Sequence, residues 1–163
     1  MSFVSYAQNG EDVLLHRVFG GQETGFYVDV GAYHPVDGSV TKAFYDRGWA
    51  GINVEPGAVF EQLAAARPRD VNLRMVVLDR AGVARLQDNA ADPGMSRVVD
   101  EDEDGARDVP CDTLENIVHR HSGGRPVDFL KVDAEGAEGA IVASTDWRRF
   151  RPRVLVFEAT LPW

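Results

Sequence analysis

Short apolar runs punctuated by glycine and proline alternate along the chain with stretches where apolar residues recur every three or four positions. That alternation predicts strands separated by helices. Asn9 is placed to cap a helix through Phe19, with Asp12 near its free amides and Leu14, Leu15, Val18 and Phe19 as an apolar side; Gly20 and Gly21 stop it. FYVDV, residues 26–30, predicts a first strand that ends at Gly31. Ser39 can cap a second helix carrying Val40, Ala43 and Phe44, which Gly48 breaks. A second strand over 51–54 is stopped by Pro56, a helix follows through EQLAAA, and Pro68 closes it. NLRMVV, residues 72–77, predicts a third strand. Helix-length crossovers between strands demand parallel neighbours and right-handed connections.

Residues 79–110 break this rhythm. ARLQDN and MSRVV predict short antiparallel strands, and DEDEDGARD, residues 100–108, is too charged to bury and predicts a mobile surface loop. Asp112 is placed to cap a helix through about His119, with Leu114, Ile117 and Val118 inward. VDFLKVD (127–133) predicts the fourth main strand, EGAEGAIVAS the start of the next helix, and VLVFEA (154–159) the fifth strand. With no internal repeat and no dividing linker, the expectation is one three-layer, Rossmann-like α/β domain over residues 1–163, its ligand crevice at the strands' carboxyl ends.

Composition narrows the partners. Of 163 residues 44% are hydrophobic, and the formal net charge is -9. So acidic a chain is a poor match for nucleic acid or an anionic membrane, but accepts a neutral or cationic small molecule. No apolar run reaches spanning length and the first residues carry no basic region, so the expected location is cytoplasmic. The lone Cys111 has no partner for an internal disulfide and reads as a small buried side chain.

The chemistry begins at Gly31, where a strand must turn and a ligand can approach backbone. From there the chain reads G-A-Y-H-P-V, without the later glycines of a dinucleotide loop and with Pro35 stiffening the turn; no P-loop is present either. A nucleoside-like ligand without phosphates remains, and S-adenosylmethionine fits: a backbone turn for its carboxylate, an acid for its ammonium. Asp29 could supply that acid or could tie down the following loop. Glu55, ending the second strand, suits ribose hydroxyls or local loop bonding. Asp79 could accept from an adenine amino group or serve the turn in DRAG. In LKVDAEGAE, Lys131 and Asp133 point to one side of an apolar strand, where unpaired charge is costly; pairing with each other or with Glu158 would reduce the cost. A methyl acceptor's hydroxyl needs a proton acceptor, for which Asp133, Glu135 and His34 are candidates. Asp133, Glu135 and Glu158 also offer hard oxygen ligands for Mg²⁺. His119 and His121 read as helix-end charges.

The stretches YAQNGEDVLL, FYVDVGAYHPVDGSVTKAFYDRGWAGINVEP, PCDTLENIV, VDFLKVDAEGAE and VLVFEA together resemble, in order, the FkbM-type S-adenosylmethionine-dependent methyltransferases. The resemblance implies a class I methyltransferase sheet, mostly parallel and seven-stranded, and methyl transfer to hydroxyl oxygens of sugars, polysaccharides or glycosylated metabolites. It implies cofactor contacts at Asp29, Gly31, Ala32 and Glu55, a bordering signature at Gln8, Gly10, Glu11 and Asp12, and a cofactor-covering loop at Ser96. It also places Asp133, Glu135, Gly136 and Glu138 in the fourth-strand motif. The chain departs from the family at Val40, where Asn is common. The family's last two, antiparallel strands are expected to be missing here, so an unpaired edge carrying Leu161 and Trp163 predicts self-association. Two other classes remain open: a nicotinamide-dependent oxidoreductase or epimerase, which Glu55 suits and the missing glycines oppose, and a non-catalytic binding or assembly module.

Overall fold

The computed structural model describes residues 3–91, 93–99 and 104–158. In chain order the elements are α1 (Glu11–Phe19), β1 (Phe26–Val30), α2 (Lys42–Asp46), β2 (Ala50–Val54), α3 (Phe60–Ala66), β3 (Val71–Leu73), β4 (Val76–Val77), β5 (Gly82–Gln87), β6 (Arg97–Val99), β7 (Arg107–Asp112), α4 (Leu114–His121), β8 (Phe129–Val132), α5 (Glu138–Ser144) and β9 (Val154–Phe157). A short 3₁₀ turn, Pro93–Met95, precedes β6.

β1 is buried at all five positions because it lies mid-sheet with apolar side chains on both faces. The main sheet runs β3-β2-β1-β8-β9 and every pairing in it is parallel. Strand order grows outward in one direction from β1 to β3 and in the other from β8 to β9. The crevice between such diverging halves, at the carboxyl ends of β1 and β8, is where ligands of open α/β sheets sit.

Two cores pack the sheet. Val28, Val30, Ile52, Val54, Leu130 and Val132 meet Leu114, Ile117 and Ile141 from α4 and α5. The alternate strand positions, Tyr27 and Phe129, meet Leu15 and Phe19 of α1, Phe44 of α2, and Trp49. Phe129 is the hub of that second core, with the rings of Phe44, Tyr27, Trp49 and Phe19 at 5.0, 5.6, 5.9 and 6.1 Å. Truncating such a ring costs about 3–5 kcal/mol.

A second sheet, β4-β7-β5-β6, has β5 antiparallel to both β6 and β7, and β4 parallel to β7. Val76, Leu78, Ala84, Leu86, Val109 and Cys111 form its core, so Cys111 is buried and burial pushes its thiol up.

The structure corrects several expected elements. The expected single strand over 72–77 is two pieces in different sheets, because Arg74 is exposed between them, reaching Glu61 at 3.5 Å. β7 occupies part of the expected acidic loop: Arg107 and Asp108 are strand residues, Asp104 and Gly105 form a turn, and residues 100–103 lie outside the described ones. Pro110 disguises β7 in the sequence. It is tolerated because β4 reaches only Cys111 and Asp112, leaving residue 110 a strand neighbour on one side. Gly10, not Asn9, caps α1, whose inward side is Asp12, Leu15 and Phe19, while Leu14 and Val18 are exposed. Thr113, not Asp112, is the N-cap of α4; Thr41 holds the N-cap position of α2, but it is the Ser39 hydroxyl that accepts from the helix's first amide, Lys42 N, at 3.2 Å. The self-association expected from Leu161 and Trp163 falls on residues outside the described ones. No helix among the described residues is long and apolar enough to cross a membrane.

Candidate active site

Strand register builds the site. Val30 pairs with both Val54 and Val132, and Val132 pairs with Phe157. The next residue on each strand therefore falls in one row along the carboxyl edge: Glu55, Gly31, Asp133, Glu158. The ladder continues through this row, with Gly31 N donating to Val54 O, Asp133 N to Val30 O and Glu158 N to Val132 O at 2.9, 3.1 and 3.1 Å. All four residues line a cavity of about 580 Å³, roofed by Leu86 and Val98 of the second sheet and by residues 93–96.

Gly31 has φ +72°, and a Cβ there would lie 1.8 Å from the carbonyl oxygen of Asp133. The space a side chain would need is thus filled by the end of β8, which explains the glycine more directly than a ligand approach does. Lys131 holds the same junction. Its ammonium donates to Gly31 O at 2.5 Å and lies 3.3 Å from Asp133 and 3.4 Å from Asp29. Burial works against that charge, but the two carboxylates outweigh it and hold the ammonium above the usual lysine range. Asp29 is buried beneath, accepting from Thr41 Oγ1 at 3.0 Å, and does not reach the cavity wall. Its observed partners are thus the loop and Lys131.

Glu55 is buried and accepts one backbone N–H on each oxygen, from Tyr33 at 2.8 Å and Gly57 at 2.6 Å. Burial pushes its carboxyl up despite those two bonds. Each oxygen keeps a further acceptor position, which suits a pair of vicinal hydroxyls. Tyr33 and Glu135, each three residues beyond paired strand ends, are the two non-glycine residues with positive φ among the described residues, at 50° and 48°, and both line the cavity. Such backbone strain concentrates at functional sites.

Asp133, Glu138 and Glu158 bring carboxylate oxygens within 4.8 Å of one another. Burial, then the Asp133 carboxylate beside it, pushes Glu158 up from its ordinary value. The expected trio for a hard cation thus contains Glu138 in place of Glu135. Glu138 also accepts from Ala134 N and Gly136 N at 2.6 and 2.9 Å, pinning the turn after β8.

The other expected residues divide. Gln8, Ala32 and Ser96 line the cavity, and Ser96 donates to Pro93 O at 3.0 Å, closing the turn above it. Glu11, Asp12, His34 and Asp79 do not. Asp12 is fully buried and gathers Ser5 Oγ and Tyr6 N, each at 2.7 Å, while Glu11 accepts from Asn9 N at 3.0 Å. His34 Nδ1 accepts from Asp37 N at 2.9 Å, and Asp79 sits 3.6 Å from Arg80 in an exposed turn. Tyr33 was not among the expected site residues, and Lys131 was expected only as a paired charge; each lies two residues from a strand-end position of the row, Gly31 and Asp133.

A family model described as "Methyltransferase FkbM domain" matches residues 29–163. Neither the curated proteins nor the solved structures compared with the chain gave a match.

Proposed function

The chain belongs to the FkbM family and is an S-adenosylmethionine-dependent methyltransferase, and from that premise we propose that it O-methylates a hydroxyl of a sugar, polysaccharide or glycosylated metabolite. The main sheet is read as the Rossmann-like core of a class I methyltransferase, within a single domain acting in the cytoplasm. The observation that carries the reading is the row Glu55, Gly31, Asp133, Glu158 opening onto one cavity where strand order reverses.

The residues fit the cofactor at two of three points. Glu55 retains acceptor capacity for ribose hydroxyls, and the acidic wall suits a sulfonium. The third point differs from expectation: Gly31 N and Ala32 N both donate to Val54 O, at 2.9 and 3.1 Å, so these amides are not free for the amino-acid carboxylate. Gln8 offers a neutral donor on the cavity wall for that end. When bound, the cofactor supplies an electrophilic methyl group. The chain's part is to bring the acceptor oxygen into line and exclude water beneath the roof of Leu86 and Val98. Asp133 orients the acceptor hydroxyl and receives its proton, held in place by Lys131; Glu135 is the second candidate for that role.

Isothermal titration with S-adenosylmethionine, S-adenosylhomocysteine and NAD tests this reading. Low-micromolar binding of the first two without NAD binding is expected. Tighter binding of NAD would instead support the oxidoreductase class. If Glu55→Ala, which removes the carboxylate on the cavity wall, stays folded and retains full cofactor affinity, the crevice assignment loses its support.

A further inference from the structure

Two features of the cavity bear on what it admits beside the cofactor. The first is charge. Asp37, Glu55, Asp133, Glu135 and Glu158 line the wall, and Lys131 is the one basic residue among the described lining residues. The Lys131 ammonium carries three protons and has three acceptors in reach, Gly31 O, Asp133 and Asp29, at 2.5, 3.3 and 3.4 Å. That leaves it no proton for an incoming anion.

The second is the destination of the loop amides. Loops that bind phosphate turn their backbone N–H groups toward the ligand. Here those groups are closed on the chain's own oxygens. Gly31 N and Ala32 N share Val54 O. Tyr33 N and Gly57 N go to Glu55, and Ala134 N and Gly136 N go to Glu138. Four of these six amides are therefore committed to carboxylates. An anion entering here would meet like charge, with neutral side-chain donors such as Gln8 but, among the described lining residues, no free cation and none of these six amides to compensate it.

We propose that the cavity excludes anionic groups, so that its methyl acceptor is a hydroxyl compound free of phosphate, a neutral or amine-bearing sugar rather than a sugar phosphate or nucleotide sugar. This rests on the methyl-transfer reading of the crevice and narrows its substrate class. S-adenosylmethionine passes the same filter, since its carboxylate travels with its own ammonium and the sulfonium leaves the molecule net positive. In reaction order, methylation falls on the free or glycosidically linked sugar, before a kinase acts or after a transferase has released the nucleotide.

The test uses inorganic pyrophosphate as the probe and amide ¹H–¹⁵N spectra of the full chain as the readout. The wild-type protein is expected to show no pyrophosphate-dependent shifts at Gly31, Tyr33, Glu55 or Asp133. Glu158→Lys, at an exposed position on the cavity rim, reverses one wall charge and is expected to gain binding at these amides, at least about tenfold tighter than wild type. Shifts at the cavity amides of the wild type overturn the proposal. So does a folded Glu158→Lys protein that gains nothing, because the carboxylates would then not be what keeps anions out. The readout needs no bound cofactor, so failure of S-adenosylhomocysteine to bind counts against the methyltransferase site alone.

Discussion

Gly31→Ala is the sharpest perturbation of the junction between β1 and β8. Two costs add. A left-handed backbone costs a residue with a Cβ about 1–2 kcal/mol. The new Cβ would also lie 1.8 Å from Asp133 O, so one strand end must move by more than an ångström. That movement strains the bond from Gly31 N to Val54 O and the one from Lys131 to Gly31 O, each worth about 1 kcal/mol net and more with a charged donor. The sum is about 3–5 kcal/mol, a large part of a typical domain's stability. Gly124→Ala is the matched control: φ is +76° but no atom lies within 4 Å of the added Cβ, so only the conformational cost of about 1–2 kcal/mol applies. Urea denaturation of the two variants compares them directly, and cofactor titration of whatever Gly31→Ala protein folds should show a parallel loss of affinity. If Gly31→Ala is no more than about 0.5 kcal/mol less stable than Gly124→Ala, the packing of β8 against Gly31 is not what requires glycine.

Asp133→Asn should bind S-adenosylmethionine nearly normally yet lose about 10²-fold or more in transfer rate; since Lys131 already supplies a cation 3.3 Å from Asp133, transfer by the wild type should survive a chelator. Glu55 holds its proton longer in the native state than in the unfolded chain, so ionising it costs stability: the unliganded protein should lose stability as pH rises from the ordinary glutamate range through its raised value. Cofactor affinity should strengthen over that same window, as the carboxylate regains its acceptors, and both slopes should vanish in Glu55→Gln. Asp112 behaves oppositely. Burial raises its pKa, but Asn116, Thr113 N and Arg120 outweigh it and hold it below the usual range. Its contribution is therefore present above the ordinary aspartate range and lost as pH falls; Asp112→Ala should cost about 1–3 kcal/mol at neutral pH and flatten the acid limb of a stability profile.

The parallel core was legible because strand and helix periods alternate cleanly there: FYVDV and VLVF sit where the apolar runs predict. The second sheet was only half legible. β5 and β6 show in ARLQDN and MSRVV, but β7 hides behind Pro110 and the acid-rich residues before it, although Val109 and Cys111 alternate inward. Glu55 and Asp133 could be placed at the carboxyl-end crevice from the sequence because charged residues at the ends of apolar strands stand out. The roles of Asp29 and Lys131 could not, since which carboxylate faces the cavity depends on the register Asp29↔Lys131 and on Thr41 reaching back from the start of α2. His34 and Asp79 show the reverse failure: chemically suitable groups whose loops carry them away from the cavity wall.

Cofactor binding in the crevice between β1 and β8 is the most direct point to test. Amide ¹H–¹⁵N mapping with S-adenosylhomocysteine locates the ligand directly. The largest shifts are expected at Gly31–Tyr33, Glu55, Gly57, Asp133–Glu135 and Ser96, with α1 and the outer face of α4 unmoved. Saturable binding whose shifts fall outside this row and leave Glu55 and Asp133 unchanged would contradict it.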